Sequence, residues 1–393
     1  MATRRTQVGL RRRGPGIGPR AGLFAPAIPA FLAGLLLTGC FGLSENEQNV
    51  LSMHERNSQE FYNDGRYVQA QQQAEMALNL DAERVGMRLM RGFCLVKLGK
   101  ARGEAGLLNE AVNVFEDLVD TEGDGDYRIW LGTGQAHLAR ALLHSEEIAK
   151  FQRRLDSDFL DEEGREVEMR LMGLEEEDRQ AHLKRAERCL GKVLTFDFQD
   201  ENSYALIDLV LVLNSIGGRE DDALALSRRA VDILVQSNEL TNSTLQKNIN
   251  LSSAAKLNLE RRIDDNLNKE RMLRDIIATL EYNRGDLEAS LAALNAMDER
   301  QLMTVLHYFN RASLNEQLGY VTEAVADLYT FLRLRAQTDD SFDEVVEETF
   351  ERIDELVELG ATLPDLDAEA AIQDTLDAEA AVLEEGFEGS DDP

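Results

Sequence analysis

The chain contains 393 residues and carries a formal net charge of −31 at pH 7. Such an acidic surface repels nucleic acid, so we expect no nucleic-acid partner. Aromatic residues make up 6% of the chain and there are 6 prolines, whereas Ala, Leu, Glu, Asp and Arg are frequent. This composition favours helices, and the length allows either two or three compact domains or one extended array of repeats.

The N-terminus has the pattern of an export signal. Six arginines precede an apolar stretch, residues 23–37, which Pro26 and Pro29 interrupt. The stretch is shorter than the roughly 20 apolar residues that span a bilayer as a helix. It ends in Leu37-Thr38-Gly39-Cys40, which resembles the lipobox of bacterial lipoproteins. An uncleaved membrane helix or an unstructured tail is the alternative.

The lipobox resemblance implies that residues 1–39 are a signal peptide, cleaved before Cys40. The thiol of Cys40 would then carry diacylglycerol, and its new amino terminus would carry an acyl chain such as palmitate. Residues 40–50 would form a lipidated tether. Phe41 follows the cysteine in place of the aspartate that retains many lipoproteins in the inner membrane. We therefore expect a cell envelope protein anchored in the outer membrane and facing the periplasm.

Glycines recur at a fixed spacing in the rest of the chain. Gly65 and Gly99 are 34 residues apart, as are Gly285 and Gly319, and each is placed to close a helix. The segments after Gly65 and Gly319 continue with an aromatic or apolar residue and then alanine. A helix–turn–helix unit of 34 residues is typical of tetratricopeptide repeats, and residues 51–336 resemble that family over most of their length.

The resemblance implies an all-α, tetratricopeptide-type solenoid, in which small residues allow paired helices to approach closely and larger residues fill the space between pairs. The small residues are Ala70, Ala77, Ala111, Ala186, Ala223, Ala230 and Ala324, and the larger ones are Phe115, Leu190 and Leu328. Within residues 51–340 we predict six units, some of them interrupted, at about 51–82, 85–120, 130–194, 204–236, 272–297 and 303–336.

Four segments depart from the repeat pattern. Residues 101–108 read as an insertion in the turn of the second unit, and residues 145–178 as a charged insertion in the third. Residues 237–271 form an atypical polar helical stretch. A capping helix is predicted within residues 341–360, with an apolar face formed by Val345, Val346, Phe350, Ile353, Leu356 and Val357.

Residues 361–393 lack lysine and arginine and contain the repeated segment Leu366-Asp-Ala-Glu-Ala-Ala371, found again at Leu376-Asp-Ala-Glu-Ala-Ala381. Self-repulsion and low apolar content favour a disordered acidic tail. A helix that forms on docking to a partner is the alternative.

No catalytic or cofactor motif is present, so we predict a protein without enzymatic activity, cofactor or metal. The sequence lacks the serine-hydrolase elbow, the phosphate-binding loop and the dinucleotide fingerprint. The five histidines are scattered along the sequence. Residues 120–126 resemble the start of a calcium-binding loop, but Leu131 occupies the place of its bidentate glutamate. Cys94 and Cys189 lie on apolar helical stretches, either as buried thiols or as a disulfide.

The remaining candidate site is the concave groove, which in this family is lined by the first helix of each unit. By motif position its residues are Glu55, Gln59, Tyr62, Leu89, Phe93, Val96, Leu131, Gln135, Leu138, Asp208, Val212, Asp275, Thr279, Tyr282, Phe309, Ser313 and Glu316. The apolar members belong equally well to the core between repeats. The groove lacks the lysine–arginine–asparagine clamp with which chaperone-binding relatives hold a carboxylate-ended peptide.

These observations predict a lipid-anchored scaffold that binds envelope proteins, possible roles being outer-membrane or envelope assembly. Its membrane contact would be made through the N-terminal lipid. The alternatives are a structural protein that self-associates into homo-oligomers and a periplasmic enzyme whose site lies in the 145–178 insertion or in the degenerate repeats.

Overall fold

A computed structural model describes residues 43–123, 125–157, 160–196, 202–248, 251–336 and 344–363. The chain divides into a short N-terminal unit, Met1–Val50, and a main unit, Leu51–Pro393. In the described part of the N-terminal unit, the backbone N–H of Ser44 donates to Glu47 Oε2 at 2.8 Å, and the Glu47 N–H donates to Ser44 Oγ at 3.3 Å. This capping box starts a helix at Glu45. The predicted tether, residues 40–50, is therefore helical from Glu45 onward.

Within the described ranges the chain forms helices and no strand. The helices are α1 (Glu45–Asn63), α2 (Tyr67–Leu80), α3 (Val85–Arg102), α4 (Ala105–Glu122), α5 (Tyr127–Leu155), α6 (Glu162–Val193), α7 (Asn202–Ile216), α8 (Glu220–Lys247), α9 (Ser253–Asn283), α10 (Leu287–Glu299), α11 (Val305–Gln317), α12 (Val321–Ala336) and α13 (Glu344–Glu358).

The main unit is a linear stack of helical pairs. From α2 to α13 each helix packs against the next, and α5 also contacts α3 and α7. Residues close in sequence thus make most of the contacts, as expected of a solenoid. In the described ranges the helices from α1 to α12 follow one another as six pairs, α1–α2 to α11–α12. The all-α, tetratricopeptide-type solenoid predicted from the sequence is confirmed.

The alanines predicted to permit close helix approach are buried. Ala70, Ala77, Ala111, Ala186, Ala223, Ala230 and Ala324 have no exposed surface, and neither have Phe115, Leu190 and Leu328. The buried side chains form three successive apolar clusters along the stack. Small and large residues at the predicted positions therefore pack inside each pair as the repeat pattern requires.

One turn lies at a different place from the prediction. Gly65, Gly285 and Gly319 end their helices with φ between +74° and +82°, as expected. Gly99, however, lies inside α3, where an added Cβ would come 2.6 Å from Leu108 Cδ2. The residue that ends α3 is Gly103, with φ +63°. Gly99 allows close packing of α4 and does not form the turn, so the prediction that it closes a helix was wrong.

The predicted insertions are helical. Of residues 101–108 only Gly103 and Glu104 lie between α3 and α4. Within residues 145–178, the part up to Leu155 belongs to α5 and the part from Glu162 belongs to α6, which makes the third pair longer than a standard repeat. Within residues 237–271, the part up to Lys247 belongs to α8 and the part from Ser253 belongs to α9. Because polar and charged residues are compatible with a helix, the loss of the apolar pattern did not signal the end of these helices.

The C-terminal helix α13 caps the stack. Val346, Ile353 and Leu356 are buried against α11 and α12, whereas Phe350 and Val357 are partly buried. The sixth predicted member of this face, Val345, is 39% exposed. Residues 364–393, including the predicted disordered tail, lie outside the described residues.

Candidate functional site

We use the name first-helix surface for the predicted groove, whose residues belong to α1, α3, α5, α7, α9 and α11. Gln135 of α5 donates through Nε2 to Asp208 Oδ2 of α7 at 2.7 Å. The Lys269 ammonium group of α9 lies 4.0 Å from the centre of the Tyr204 ring of α7. These contacts join three consecutive pairs across the predicted groove.

Four of the predicted groove residues are instead part of the core. Leu89, Val96, Leu138 and Val212 are almost entirely buried between helices. They follow the repeat pattern because they fill the space between adjacent pairs, which is the alternative that the sequence left open for the apolar members. In this arrangement they present no surface to a ligand.

Aromatic members of the predicted groove are anchored by other rings. Phe93 packs edge-on against Phe115, with ring centroids 5.1 Å apart, and Phe309 contacts Phe331 at the same separation. Leu131 is partly buried against the main apolar cluster. Only part of each of these side chains is exposed, so they contribute to the floor of the surface.

At the N-terminal end, three predicted residues interact with near neighbours. Glu55 accepts from Arg84 Nε at 2.6 Å, and Gln59 donates to Asn63 Oδ1 at 3.0 Å. Tyr62 lies half-buried, and burial raises the pKa of its hydroxyl. The hydroxyl therefore remains protonated at neutral pH and acts as a neutral hydrogen-bonding group.

At the C-terminal end, four predicted residues line a shared cleft of about 330 Å³ between α9, α10 and α11. They are Asp275, Thr279, Tyr282 and Ser313. Asn310 and Gln317, which the sequence analysis missed, also line it. Their spacing from Ser313, three and four residues, would have placed them on the same helical face. The cleft combines an exposed aromatic ring with amide, hydroxyl and carboxylate groups.

The capping helix closes the end of this surface. Arg352 of α13 donates to Glu316, and it lies 3.4 Å from Ser313 Oγ and 5.7 Å from the centre of the Phe309 ring. Three predicted groove residues of α11 therefore have a partner in the chain itself. A ligand at this end would have to displace Arg352 or bind beside it.

Three lysines gather in the middle of the surface, which the sequence analysis did not detect. Lys97 and Lys100 of α3 and Lys269 of α9, which we call the lysine cluster, all interact electrostatically with Asp208 of α7. The Lys97 side chain is exposed, but partial desolvation of its ammonium group by the surrounding protein, followed by the charge of Lys100, lowers its pKa. Burial raises the pKa of Asp208. Lys97 and Lys100 are three residues apart at the end of one helix, but the contribution of Lys269 depends on the tertiary fold.

Three histidines, two on α5 and one on α6, also meet. His137 Nδ1 lies 2.7 Å from His182 Nδ1, and the rings of His144 and His182 stack with centroids 5.5 Å apart. Burial and the neighbouring His137 lower the pKa of His182 to about 4. Glu116 receives hydrogen bonds from His137 and Arg185. These groups join α4 of the second pair to α5 and α6, the two helices of the long third pair.

In the described part of the chain, no three His, Cys, Asp or Glu side chains are placed to hold a metal ion together. Cys94 and Cys189 are free buried thiols, and burial raises their pKa values to about 12 and about 11. In the loop resembling a calcium site, Asp126 caps α5 and pairs with Arg128. That carboxylate is therefore already engaged by the protein.

None of the helices in the described ranges is both long and apolar enough to cross a membrane. The lipobox and Cys40 lie outside the described residues.

A scan against known protein families and a search of curated proteins find no match. Among solved structures, a thermophilic TPR protein from Thermus thermophilus is 18% identical, with 68% of this chain and 98% of that chain covered, at a TM-score of 0.33. A tetratricopeptide repeat protein from Parabacteroides merdae is 14% identical, with 77% and 98% covered, at a TM-score of 0.31. We base the fold assignment on the helical pairs and turn glycines of the chain itself, and these identify it as an all-α solenoid of the tetratricopeptide type.

Proposed function

We propose that this chain is a lipid-anchored, non-enzymatic scaffold that binds proteins in a bacterial cell envelope. The observation that carries the binding role is the joining of side chains from α3, α5, α7 and α9 on the first-helix surface. A surface assembled from successive helices can contact an extended peptide or a helix along its length. Repeat stacking provides such a surface without a catalytic centre.

The anchor rests on the sequence Leu37-Thr38-Gly39-Cys40 and on the arginine-rich, apolar segment before it. Several acyl chains bind a membrane far more stably than one, because each buried methylene contributes about 0.8 kcal/mol. Anchoring confines the solenoid to one membrane face and raises its effective concentration for partners there. We place it in the outer membrane, facing the periplasm, on the basis of Phe41.

The cleft between α9 and α11 is the part of the surface best suited to a side chain of the partner. Tyr282 is 46% exposed and offers an aromatic face, while Thr279, Asn310 and Gln317 offer hydrogen-bonding groups. Aromatic residues surrounded by polar groups are typical of the centres of protein interfaces. A partner segment that inserts an apolar side chain between polar neighbours would fit this cleft.

Two measurements test the anchor. Mass spectrometry of the N-terminal peptide is expected to show cleavage before Cys40 and the added mass of diacylglycerol and acyl groups. The Cys40→Ser variant is expected to lose both the cleavage and the added lipid mass. An uncleaved wild-type N-terminus, or a cleaved one without added lipid mass, would exclude the lipoprotein anchor.

The binding role is tested by crosslinking in native membranes, purification of the full-length protein and mass spectrometry. The test variant is Tyr282→Ala, and the matched control is Tyr320→Ala. The two side chains are similarly exposed, but Tyr320 lines a different depression, between α10, α11 and α12. We expect one stoichiometric partner that is at least fivefold depleted in the test variant and retained in the control. Equal recovery would exclude the cleft, and recovery of the chain alone would favour self-association.

A further inference from the structure

We propose that the lysine cluster binds the acidic C-terminal segment of the same chain, residues 364–393, and that this segment thereby competes with protein partners for the first-helix surface. The competition rests on the proposed function, whereas the intramolecular binding does not. The cluster brings together three of the eight lysines of a chain whose net charge is −31. An acidic protein thus has a local concentration of positive charge on its candidate binding surface.

Only one of the three ammonium groups of the cluster forms an ion pair with a described residue. Lys97 and Lys100 are exposed, and neither forms an ion pair with another described residue. Lys269 pairs with Asp265 and lies over the Tyr204 ring, which fixes its position. Because an ammonium group has three donors and no acceptor, such a site accepts anionic oxygen groups, and carboxylates are the anionic oxygen groups that this chain itself carries.

The charges around the cluster also favour an added anion. Asp208 accepts one hydrogen bond from Gln135, and burial raises the pKa of its carboxyl group. The cluster places three ammonium groups beside two carboxylates, those of Asp208 and Asp265, so an incoming carboxylate would balance the charge.

The C-terminal segment has the complementary chemistry. Residues 364–393 contain eleven aspartates and glutamates and no lysine or arginine. The sequence Leu-Asp-Ala-Glu occurs twice, at residues 366–369 and 376–379, so two similar acidic segments follow one another. Each could present its carboxylates to ammonium groups on α3 and α9.

The segment is also long enough to reach. The described chain ends at Leu363, just after α13, and about 30 residues follow. At about 3.4 Å per residue they can span roughly 100 Å. Four successive helix spacings, from α13 to α9, amount to about 40 Å if each is about 10 Å. A tether of this length gives an effective concentration of the order of millimolar, so even weak ion pairs would be occupied.

The binding is tested on the full-length protein in non-ionic detergent with a carbodiimide, which joins carboxylates to contacting amines without a spacer. Lys184 and Lys247 are suitable reference amines, because both are exposed, lie on second helices and form no ion pair with a described residue. We expect crosslinks from residues 364–393 to the lysine cluster to exceed those to the reference lysines at least fivefold. A mixture of ¹⁴N and ¹⁵N protein distinguishes bonds within one chain from bonds between chains.

The result that would overturn the proposal is an even distribution of crosslinks over all exposed lysines. Crosslinks found only between differently labelled chains would also overturn it, because the segment would then bind a second copy. The Lys97→Gln/Lys100→Gln variant is expected to abolish the crosslinks at these two positions and to lower those at Lys269. The Lys184→Gln/Lys247→Gln variant is the matched control for the change in net charge and should leave the cluster crosslinks unchanged.

A second measurement uses a fluorescent peptide of residues 364–393 and its anisotropy. In a full-length variant with a neutralised segment, all eleven acidic residues of residues 364–393 are changed to their amides. This variant is expected to bind the peptide at least fivefold more tightly than the wild type. The gain should disappear when Lys97→Gln and Lys100→Gln are added. Equal affinity in the wild type and the neutralised variant would contradict intramolecular occupancy.

The two proposals fail in distinguishable ways. Cluster-specific crosslinks without a captured envelope partner would leave the intramolecular binding intact and refute the scaffold role. A captured partner without such crosslinks would support the scaffold role and refute the intramolecular binding. If both are correct, the neutralised segment is expected to increase partner recovery at least twofold, and unchanged recovery would refute the competition.

Discussion

The close packing around Phe115 provides a direct test of the solenoid geometry. The ring of Phe115 in α4 is fully buried between Gly92 of α3 and Gly132 of α5. A Cβ added to Gly132 would lie 2.1 Å from Phe115 Cε1, and one added to Gly92 would lie 2.6 Å from Phe115 Cζ. Carbon atoms prefer a separation of about 3.5–4.0 Å. The ring cannot move away from one glycine without approaching the other, so Gly132→Ala should overpack this site.

The net effect follows from two opposing terms. Overpacking a well-packed core costs about 1–3 kcal/mol, and the upper end applies here because both sides of the ring are closed. Replacing glycine by alanine inside a helix contributes about 1 kcal/mol in the opposite direction. We therefore expect Gly132→Ala to lower the free energy of unfolding by about 2 kcal/mol. Gly173 in α6, which has no neighbour within 4 Å of an added Cβ, is the control, and Gly173→Ala should be stabilising.

Urea unfolding followed by tryptophan fluorescence measures this effect locally. The chain has one tryptophan, Trp130, which lies in α5 two residues before Gly132 and donates its indole N–H to the Gly123 carbonyl. Adding Phe115→Leu should make room for the new methyl group, so Gly132→Ala in that background is expected to be neutral or stabilising. If Gly132→Ala raises the urea midpoint of the wild type as much as Gly173→Ala does, the packing described for α3, α4 and α5 is wrong.

Three further predictions concern buried polar groups. Because the pKa of His182 is lowered to about 4, the unfolded chain binds a proton that the folded chain excludes. Stability should therefore fall by up to about 3 kcal/mol as the pH drops from about 6.5 to 4, and His182→Gln should flatten this slope in urea midpoints measured across that range. Glu270 is fully buried and accepts from two arginines, so Glu270→Ala should cost about 3 kcal/mol by calorimetry, whereas the exposed Glu260→Ala should cost less than about 0.5. Cys94 and Cys189, whose thiol pKa values are raised to about 12 and about 11, should resist iodoacetamide at pH 8 until urea is added; rapid alkylation of the folded protein would contradict their burial.

The sequence predicted the fold well because repeat packing depends on residues close together in the chain. The buried alanines and the glycines that end helices with positive φ are required within a single pair of helices. Gly99 is the instructive exception. Its spacing from Gly65 matched a turn, but glycine also permits the close approach of Leu108, and the spacing alone cannot distinguish these two uses.

The candidate site was less predictable because it depends on which helices meet. A residue at a groove position, such as Leu138 or Val212, can be covered by the next pair. Whether it is covered depends on the angle between adjacent pairs, which the sequence pattern does not contain. The lysine cluster joins α3 and α9, and no local pattern connects Lys97 with Lys269. The histidine cluster joins the two helices of one pair, but its members His137 and His182 are 45 residues apart in the sequence.

The two parts of the first-helix surface should respond differently to salt, which gives a way to separate their roles. At physiological ionic strength the screening length is about 8 Å, and at 1 M salt it is about 3 Å, so contacts to the exposed Lys97 and Lys100 should weaken strongly. The cleft around Tyr282 offers an aromatic face and neutral hydrogen-bonding groups, whose contacts are little screened. Moderate salt should therefore release the acidic segment from the lysine cluster while a partner held at the cleft remains bound. If the segment competes with that partner, recovery of the partner should rise with salt before it falls, whereas a surface that binds partners mainly through charge would show a steady decrease.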